Sequence, residues 1–208
     1  MIIMTDKDQA AYQITRITCG HDVIPWDRIP AISIDQVLWL SDAGIRAKGQ
    51  LCYDDTALYV HMRAVEKNIR AEFTQPLSPV CNDSCLEFFF MIDGEENYFN
   101  FEINPNGCLC IQFGKKTDRI DIAQERSRQY FDISAPRTPD GWEVFYRIPV
   151  GFIQLFYPGY AFDRDIRANM YKCGNHTVNK HFIAWAPIET EKPNFHLPEF
   201  FRLMSFGD

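Results

Sequence analysis

At 208 residues with 46% hydrophobic composition, the chain can bury a sizeable core, and no repeat or low-complexity linker divides it, so residues 1–208 read as one domain. A net charge of -7 and a pI near 5.2 argue against nucleic-acid and anionic-membrane partners. No run of about 18 apolar residues offers a membrane span.

Along the chain, residues 12–19 read as a first strand at a sheet edge, and residues 26–35, interrupted by Pro30, as a loop. Arg46–Tyr53 and Ala57–Val65 form a hairpin across the turn Asp54-Asp55-Thr56; Leu58, Val60, Met62 and Ala64 share one face of the second strand. Cys85–Ile92 places Leu86, Phe88, Phe90 and Ile92 on one face. Glu87 shares the other with Cys85, Phe89 and Met91. A carboxylate in so apolar a strand is costly to bury unless something meets it. Residues 98–104 alternate Phe99, Phe101 and Ile103 against Tyr98, Asn100, Glu102 and Asn104, then turn at Asn104-Pro105-Asn106-Gly107. Residues 115–128 read as a polar loop or helical turn, 128–135 as a strand, and 142–148 as its hairpin partner after Pro139-Asp140-Gly141. Residues 150–156 read as a short helical segment. Residues 165–172 form a strand with Ile166, Ala168 and Met170 inward and Arg167, Asn169 and Tyr171 on the other face, and 181–187 and 200–206 complete the set. About ten short strands with almost no helix predict an all-β chain, an antiparallel β-sandwich of jelly-roll type.

In order along the chain stand Tyr53-Asp54-Asp55 with Leu58-Tyr59-Val60, then Asn82-Asp83-Ser84-Cys85-Leu86-Glu87-Phe88-Phe89 and Tyr98-Phe99-Asn100-Phe101-Glu102-Ile103-Asn104. Gly141-Trp142-Glu143, Arg167-Ala168-Asn169-Met170-Tyr171-Lys172, Ala184-Trp185 and Asn194-Phe195-His196-Leu197-Pro198-Glu199-Phe200-Phe201 follow. This ordered set resembles the family-9 carbohydrate-binding modules and their DOMON-like β-sandwich relatives. The resemblance implies non-catalytic sugar binding, often at the ends of plant polysaccharide or oligosaccharide chains, in carbohydrate catabolism. It also admits structural calcium.

In that family two aromatic rings sandwich a pyranose while acidic and amide side chains bind its hydroxyls. The matching positions here are Glu87, Glu102, Asn104 and Asn169, with Phe195 as one clamp ring. Arg167 and Tyr171, on the polar face beside Asn169, and His196, beside Phe195, complete the candidate carbohydrate site. Two departures stand out: Cys81 occupies the place of the second ring, and Glu102 stands where well-studied members have a basic residue.

Other readings of the same residues remain open. Glu87 could pair with Arg63, Arg70 or Arg167 to lock the sheets together. Glu87 and Glu102 could be the carboxylates of a glycosidase, or exposed aromatics could serve a protein-interaction module. No catalytic residue is assigned. Asp93-Gly94-Glu95-Glu96-Asn97 is a candidate calcium turn. The cysteines lack the CxxC spacing of structural zinc and read as small buried hydrophobes. Their odd number, 7, and a start (MIIMTDKDQA) without a basic and an apolar region point to free thiols and a cytoplasmic location.

Overall fold

Alternating apolar and polar side chains make a strand that can bury one face, and this chain repeats the pattern throughout. The computed structural model describes residues 11–18, 23–122 and 126–207. In chain order the strands are β1 (Tyr12–Arg16), β2 (Ile32–Ile34), β3 (Gln36–Val37), β4 (Arg46–Tyr53), β5 (Ala57–Val65), β6 (Cys85–Ile92) and β7 (Tyr98–Ile103). There follow β8 (Leu109–Lys115), β9 (Asp118–Asp121), β10 (Arg137–Thr138), β11 (Gly141–Pro149), β12 (Ile166–Gly174), β13 (His181–Ala184) and β14 (Arg202–Phe206). Two short helices interrupt them, α1 (Ser127–Tyr130) and α2 (Val150–Gln154).

The strands build the all-β sandwich that the pattern predicts. One layer runs β10-β11-β5-β4, with β2 also paired to β4; the other runs β14-β12-β6-β7-β8-β9. β13 shares an edge of β12 with β14, and β3 pairs beyond it. β1 is not at an edge. Tyr12, Gln13 and Ile14 run parallel to β14, and Thr15 and Arg16 run parallel to β4, so this strand joins the two layers.

The inward faces meet in one core. Leu58, Val60 and Met62 of β5 and Trp142, Val144 and Tyr146 of β11 face Phe88 and Phe90 of β6, Phe99 and Phe101 of β7, and Ala168 and Met170 of β12. Each buried large side chain contributes about 1.5–3 kcal/mol. Gly49 of β4 lets the layers approach closely, since a Cβ there would collide with the Met170 sulfur.

Lys172 continues the inward series of β12 and is fully buried. Its ammonium donates to the Glu66 carboxylate at 3.0 Å, to His181 Nε2 at 2.8 Å and to the Cys173 carbonyl at 3.0 Å. Glu66, just past β5 in the opposite layer, also accepts the Trp142 indole N–H at 2.7 Å and the Ser84 hydroxyl at 3.0 Å. Because His181 Nε2 accepts from Lys172, its proton sits on Nδ1, which donates to the Asn179 carbonyl at 2.6 Å. Burial and then the Lys172 charge lower His181 to a pKa of about 4. The two layers are thus tied by one saturated polar cluster.

Two segments differ from their reading in the sequence. Residues 128–135 alternate like a strand but form α1 and a turn, because Asp132 adopts φ 49 and reverses the chain; Phe131 and Ile133 both still reach the core. Residues 26–35 are more than loop: β2 forms there between Pro30 and Asp35, with Ile32 and Ile34 buried.

Replacing Lys172 with Met leaves Glu66 buried without its cation, a loss of about 3–5 kcal/mol in denaturant unfolding. Asp55→Ala, which opens the exposed pair with Arg16, changes stability little. Equal effects for the two substitutions would show that the buried cluster does not hold the layers.

Candidate carbohydrate-binding site

The larger sheet's outer face, turned away from the core, is laid out in rows by strand register. One row runs Cys110, Glu102, Glu87, Tyr171 and Ala184 across five strands. On one side of it lie Cys85, Cys173 and Phe182, and on the other Gln112, Asn100, Phe89 and Asn169. Loops cover much of this face: Leu38, Val80, Ile188, Phe195, Leu197 and Phe201 pack with Phe89, Tyr98 and Tyr171 in a second apolar cluster. Where the loops part, a cleft of about 490 Å³ opens over Glu87, Glu102 and Cys173.

The two carboxyls sit directly opposite each other on neighbouring strands. Glu87 is 2% exposed and Glu102 7%. Among the described residues no arginine forms an ion pair with Glu87. Arg63 pairs with Asp140, Arg70 with Asp83 and Arg167 with Asp93. The Cys173 thiol instead donates to Glu87 Oε1 at 2.9 Å. Burial, and then the neighbouring Glu102, raise Glu87 well above the ordinary carboxylate range. Burial pushes Glu102 up to about 7, against the Asn100 amide, which donates to it at 2.9 Å, and Arg119. The floor therefore carries two adjacent carboxyls, both shifted upward by burial, whose oxygens accept hydrogen bonds and, where protonated, donate them.

One wall consists of Cys81 and Asn82, whose carbonyls accept the backbone N–H groups of Asn175 and His176 at 3.0 and 3.1 Å. Phe182, Asn194, Phe195 and His196 form another. The Phe195 ring stacks on Tyr171 at 4.1 Å and 7°, with Trp39 tilted against it at 5.7 Å. Arg119 donates to the Tyr98 hydroxyl at 2.6 Å, so Tyr98 donates in turn to His196 Nδ1 at 3.0 Å. That leaves the His196 proton on Nε2. Lys180 stands over the Phe182 ring at 5.5 Å.

Of the residues singled out in the sequence, Glu87, Glu102, Phe195 and His196 line the cleft. Asn104, Arg167, Asn169 and Tyr171 do not, so the expected convergence of the polar set is only partial. Asn104 is consumed by its own turn and the loop beside it. Its Oδ1 accepts from Asn106 and Cys108 backbone N–H groups, and its amide donates to the Phe73 carbonyl and Asp83. Asn169 sits where the edge of β12 changes partner from β14 to β13. Its Oδ1 accepts from the Met170 and Ala186 N–H groups, and its amide donates to the Ala186 carbonyl, replacing missing ladder bonds. Arg167 lies opposite Met91, four residues or roughly 13 Å along the sheet from the Glu87 row. Tyr171 is buried beneath Phe195 and donates to its carbonyl at 3.2 Å.

Cys173 is the cleft residue most accessible to sequence reasoning, since it continues the face of Asn169 and Tyr171; Asn82, Asn175, His176, Lys180 and Asn194 come from loops with no periodic signal. In the acidic turn, Asp93 meets Arg167, Glu95 meets Arg164 and Glu96 meets Lys115, so its carboxylates are each engaged by a cationic side chain.

Asn169→Leu strands the Ala186 N–H and carbonyl, at about 1–3 kcal/mol each, so a large stability loss is expected. A variant as stable as the parent would contradict the bridging role. A second expectation concerns pH. Burial, then Arg119, lower His196 from 6.5 to about 3, so between these values the unfolded chain binds more protons and stability falls as pH drops. His196→Gln removes this contribution, while Glu102, which acts in the opposite sense, is common to both proteins. The stability difference between parent and variant should shift by about 2 kcal/mol between pH ~7 and ~5 in urea titrations. Parallel pH profiles would refute a neutral, half-buried imidazole at His196.

The sequence model for carbohydrate-binding family 9 matches residues 21–206. A Bacteroides uniformis ATCC 8492 protein, proposed to bind carbohydrate, superposes with a TM-score of 0.82 at 26% identity, covering 94% of this chain and 98% of its own. A family 9 module from Caldicellulosiruptor kristjanssonii in complex with glucose gives a TM-score of 0.66 at 13% identity, with 96% of each chain covered. One from the same organism in complex with cellotriose gives 0.63 at 14%, covering 94% of this chain and 92% of that one. These last two share the fold. No curated protein sequence matches. With the family match running through every strand from β2 to β14, the chain belongs to carbohydrate-binding family 9.

Proposed function

We propose that the cleft over Glu87 and Glu102 receives the terminal residue of a plant-type oligo- or polysaccharide, in the service of carbohydrate catabolism and without cleaving it. The carrying observation is the pair of buried carboxyls, side by side at the base of an open cleft and, among the described residues, in no ion pair with an arginine. Vicinal hydroxyls each donate and accept, so the adjacent carboxyl groups of Glu87 and Glu102 offer them complementary partners. Glu102 already accepts from Asn100, which orients it, and Cys173 orients Glu87. The Nε2–H of His196 is a further donor, and the Phe195 and Phe182 side supplies apolar surface for a pyranose face. Glucose and cellotriose, the ligands in the two Caldicellulosiruptor complexes, define the ligand class to try first.

Geometry separates binding from hydrolysis. A glycosidase sets its two carboxyls on either side of the scissile bond. Here both rise from adjacent strands of one sheet, so both approach a ligand from beneath. Cys81, at the place of a second ring, removes one stacking contact, worth about 1–3 kcal/mol. Monosaccharide affinity should therefore be weak, on the order of millimolar.

Calorimetric titration with glucose and cello-oligosaccharides tests this. Glu102→Gln should weaken binding about tenfold to a hundredfold, the worth of a hydrogen bond to a charged group. Cys81→Tyr should tighten it by about the same factor. No reducing ends should appear on prolonged incubation. Unaltered affinity in Glu102→Gln, or steady sugar release, would sink the proposal.

A further inference from the structure

Cys85, Glu87 and Cys173 bring one ligand-type atom each to within 4.8 Å of the others. The register explains why. Cys85 and Cys173 are directly opposite on antiparallel β6 and β12, and Glu87 lies two residues along on the same face. All three are on strand interiors or ends rather than on free loops, which gives the rigid placement a metal site needs. Four-coordinate zinc holds sulfur at about 2.3 Å and carboxylate oxygen at about 2.0 Å, so its donor atoms stand roughly 3.5–3.8 Å apart. Those edges fall inside the 4.8 Å limit of the observed triangle, and the Cys173–Glu87 edge, 2.9 Å as it stands, must open to admit the ion.

Charge provides a second, independent reason. Glu87 is 2% exposed and, among the described residues, has no Lys or Arg in ion-pair contact; the thiols of Cys173 and Cys85 meet it instead. Binding a divalent cation there would release the thiol and carboxyl protons to solvent. Two sulfurs favour a soft or borderline ion over calcium or magnesium. Cys85 is at the back, whereas Glu87 and Cys173 line the cleft, so a fourth position faces solvent and ligand.

We propose that Cys85, Glu87 and Cys173 form a thiolate–carboxylate site for a zinc-type divalent ion on the floor of the cleft. Sequence spacing hides such a site, because its two sulfurs are 88 positions apart and meet only through strand pairing.

The test needs no sugar, so its failure leaves the carbohydrate reading intact. Reduced full-length protein is titrated with cobalt(II) alone, then with zinc. One equivalent should bring thiolate-to-cobalt charge-transfer bands in the near ultraviolet and intense visible bands of a four-coordinate ion, bleached by zinc. Cys85→Ser and Cys173→Ser should lose these bands. Cys52→Ser should keep them, since Cys52 packs on the outer face of the opposite layer. Should a serine variant not fold, Glu87→Gln retains both thiols and a neutral side chain of the same shape, and should weaken cobalt binding at least tenfold. Absence of the bands in folded, reduced parent protein would overturn the proposal. So would bands that survive unchanged in Cys173→Ser or in Glu87→Gln.

Discussion

The contact between Lys172 and Glu66 governs both the fold and the place of the cleft. A buried ion pair adds little net stability over a well-packed apolar pair, because desolvation offsets the Coulomb attraction. Its effect lies in what it forbids. Lys172 reaches acceptors only on the inner side of β12, where Glu66, His181 and the Cys173 carbonyl meet it. A one-residue slip of β12 would turn the ammonium outward and bring Cys173 and Tyr171 into the core. Pinning Lys172 therefore also pins Tyr171 opposite Glu87 and Cys173 opposite Cys85. The inner cluster sets the outer rows.

Each layer of the sandwich has a second face, and both are largely covered by other means. On the smaller layer His61 stacks on Phe145 at 4.1 Å, bonds Glu143 and Gln50, and meets Trp26. The larger layer is covered by the segments carrying Leu38, Val80, Phe195 and Phe201, except above the carboxyl pair. Such a gap is not what stability alone would favour, since two acidic groups side by side in a low dielectric oppose each other's ionisation. What the gap provides is a set of oriented polar atoms with unused hydrogen-bonding capacity. Tyr171 beneath Phe195, and Tyr98 against His196, hold the wall still, so little ordering remains for a ligand to impose.

Alternation made β4, β5 and β6 legible to the residue, because each has one strongly apolar face and a turn at its end. It also exposed Glu87 as an anomaly. Parity cannot say whether a polar face is solvated, ligand-binding or covered. Asn169 and Asn104 looked like sugar contacts because amides suit hydroxyls, yet their partners are Ala186, Phe73 and Asp83, distant in sequence and placed only by the finished fold. The same parity that assigned Ile166, Ala168 and Met170 to the core also assigns Lys172 to it. A lysine there was the clearer signal of a buried ion pair, and its partner Glu66 lies in a segment that carries no period. Residues 128–135 misled for a simpler reason: alternation describes side-chain order, and one left-handed residue, Asp132, undoes it.

A cleft with one apolar side and a carboxyl floor should discriminate in a different manner from a two-ring clamp. Rings stack on any pyranose, so their contribution hardly depends on which hydroxyls the sugar carries. A buried carboxyl is less tolerant. On the proposed reading, a ligand lacking the matching hydroxyl displaces water from Glu87 and Glu102 and leaves the capacity not used by Cys173 and Asn100 unmet, at about 1–3 kcal/mol. Sites built on such groups reject the deficient analogue far more strongly than apolar pockets reject a misfit. With Cys81 in place of a ring, the balance here moves from stacking toward hydrogen bonding. Modest affinity combined with sharp dependence on hydroxyl pattern is the behaviour this arrangement of residues favours.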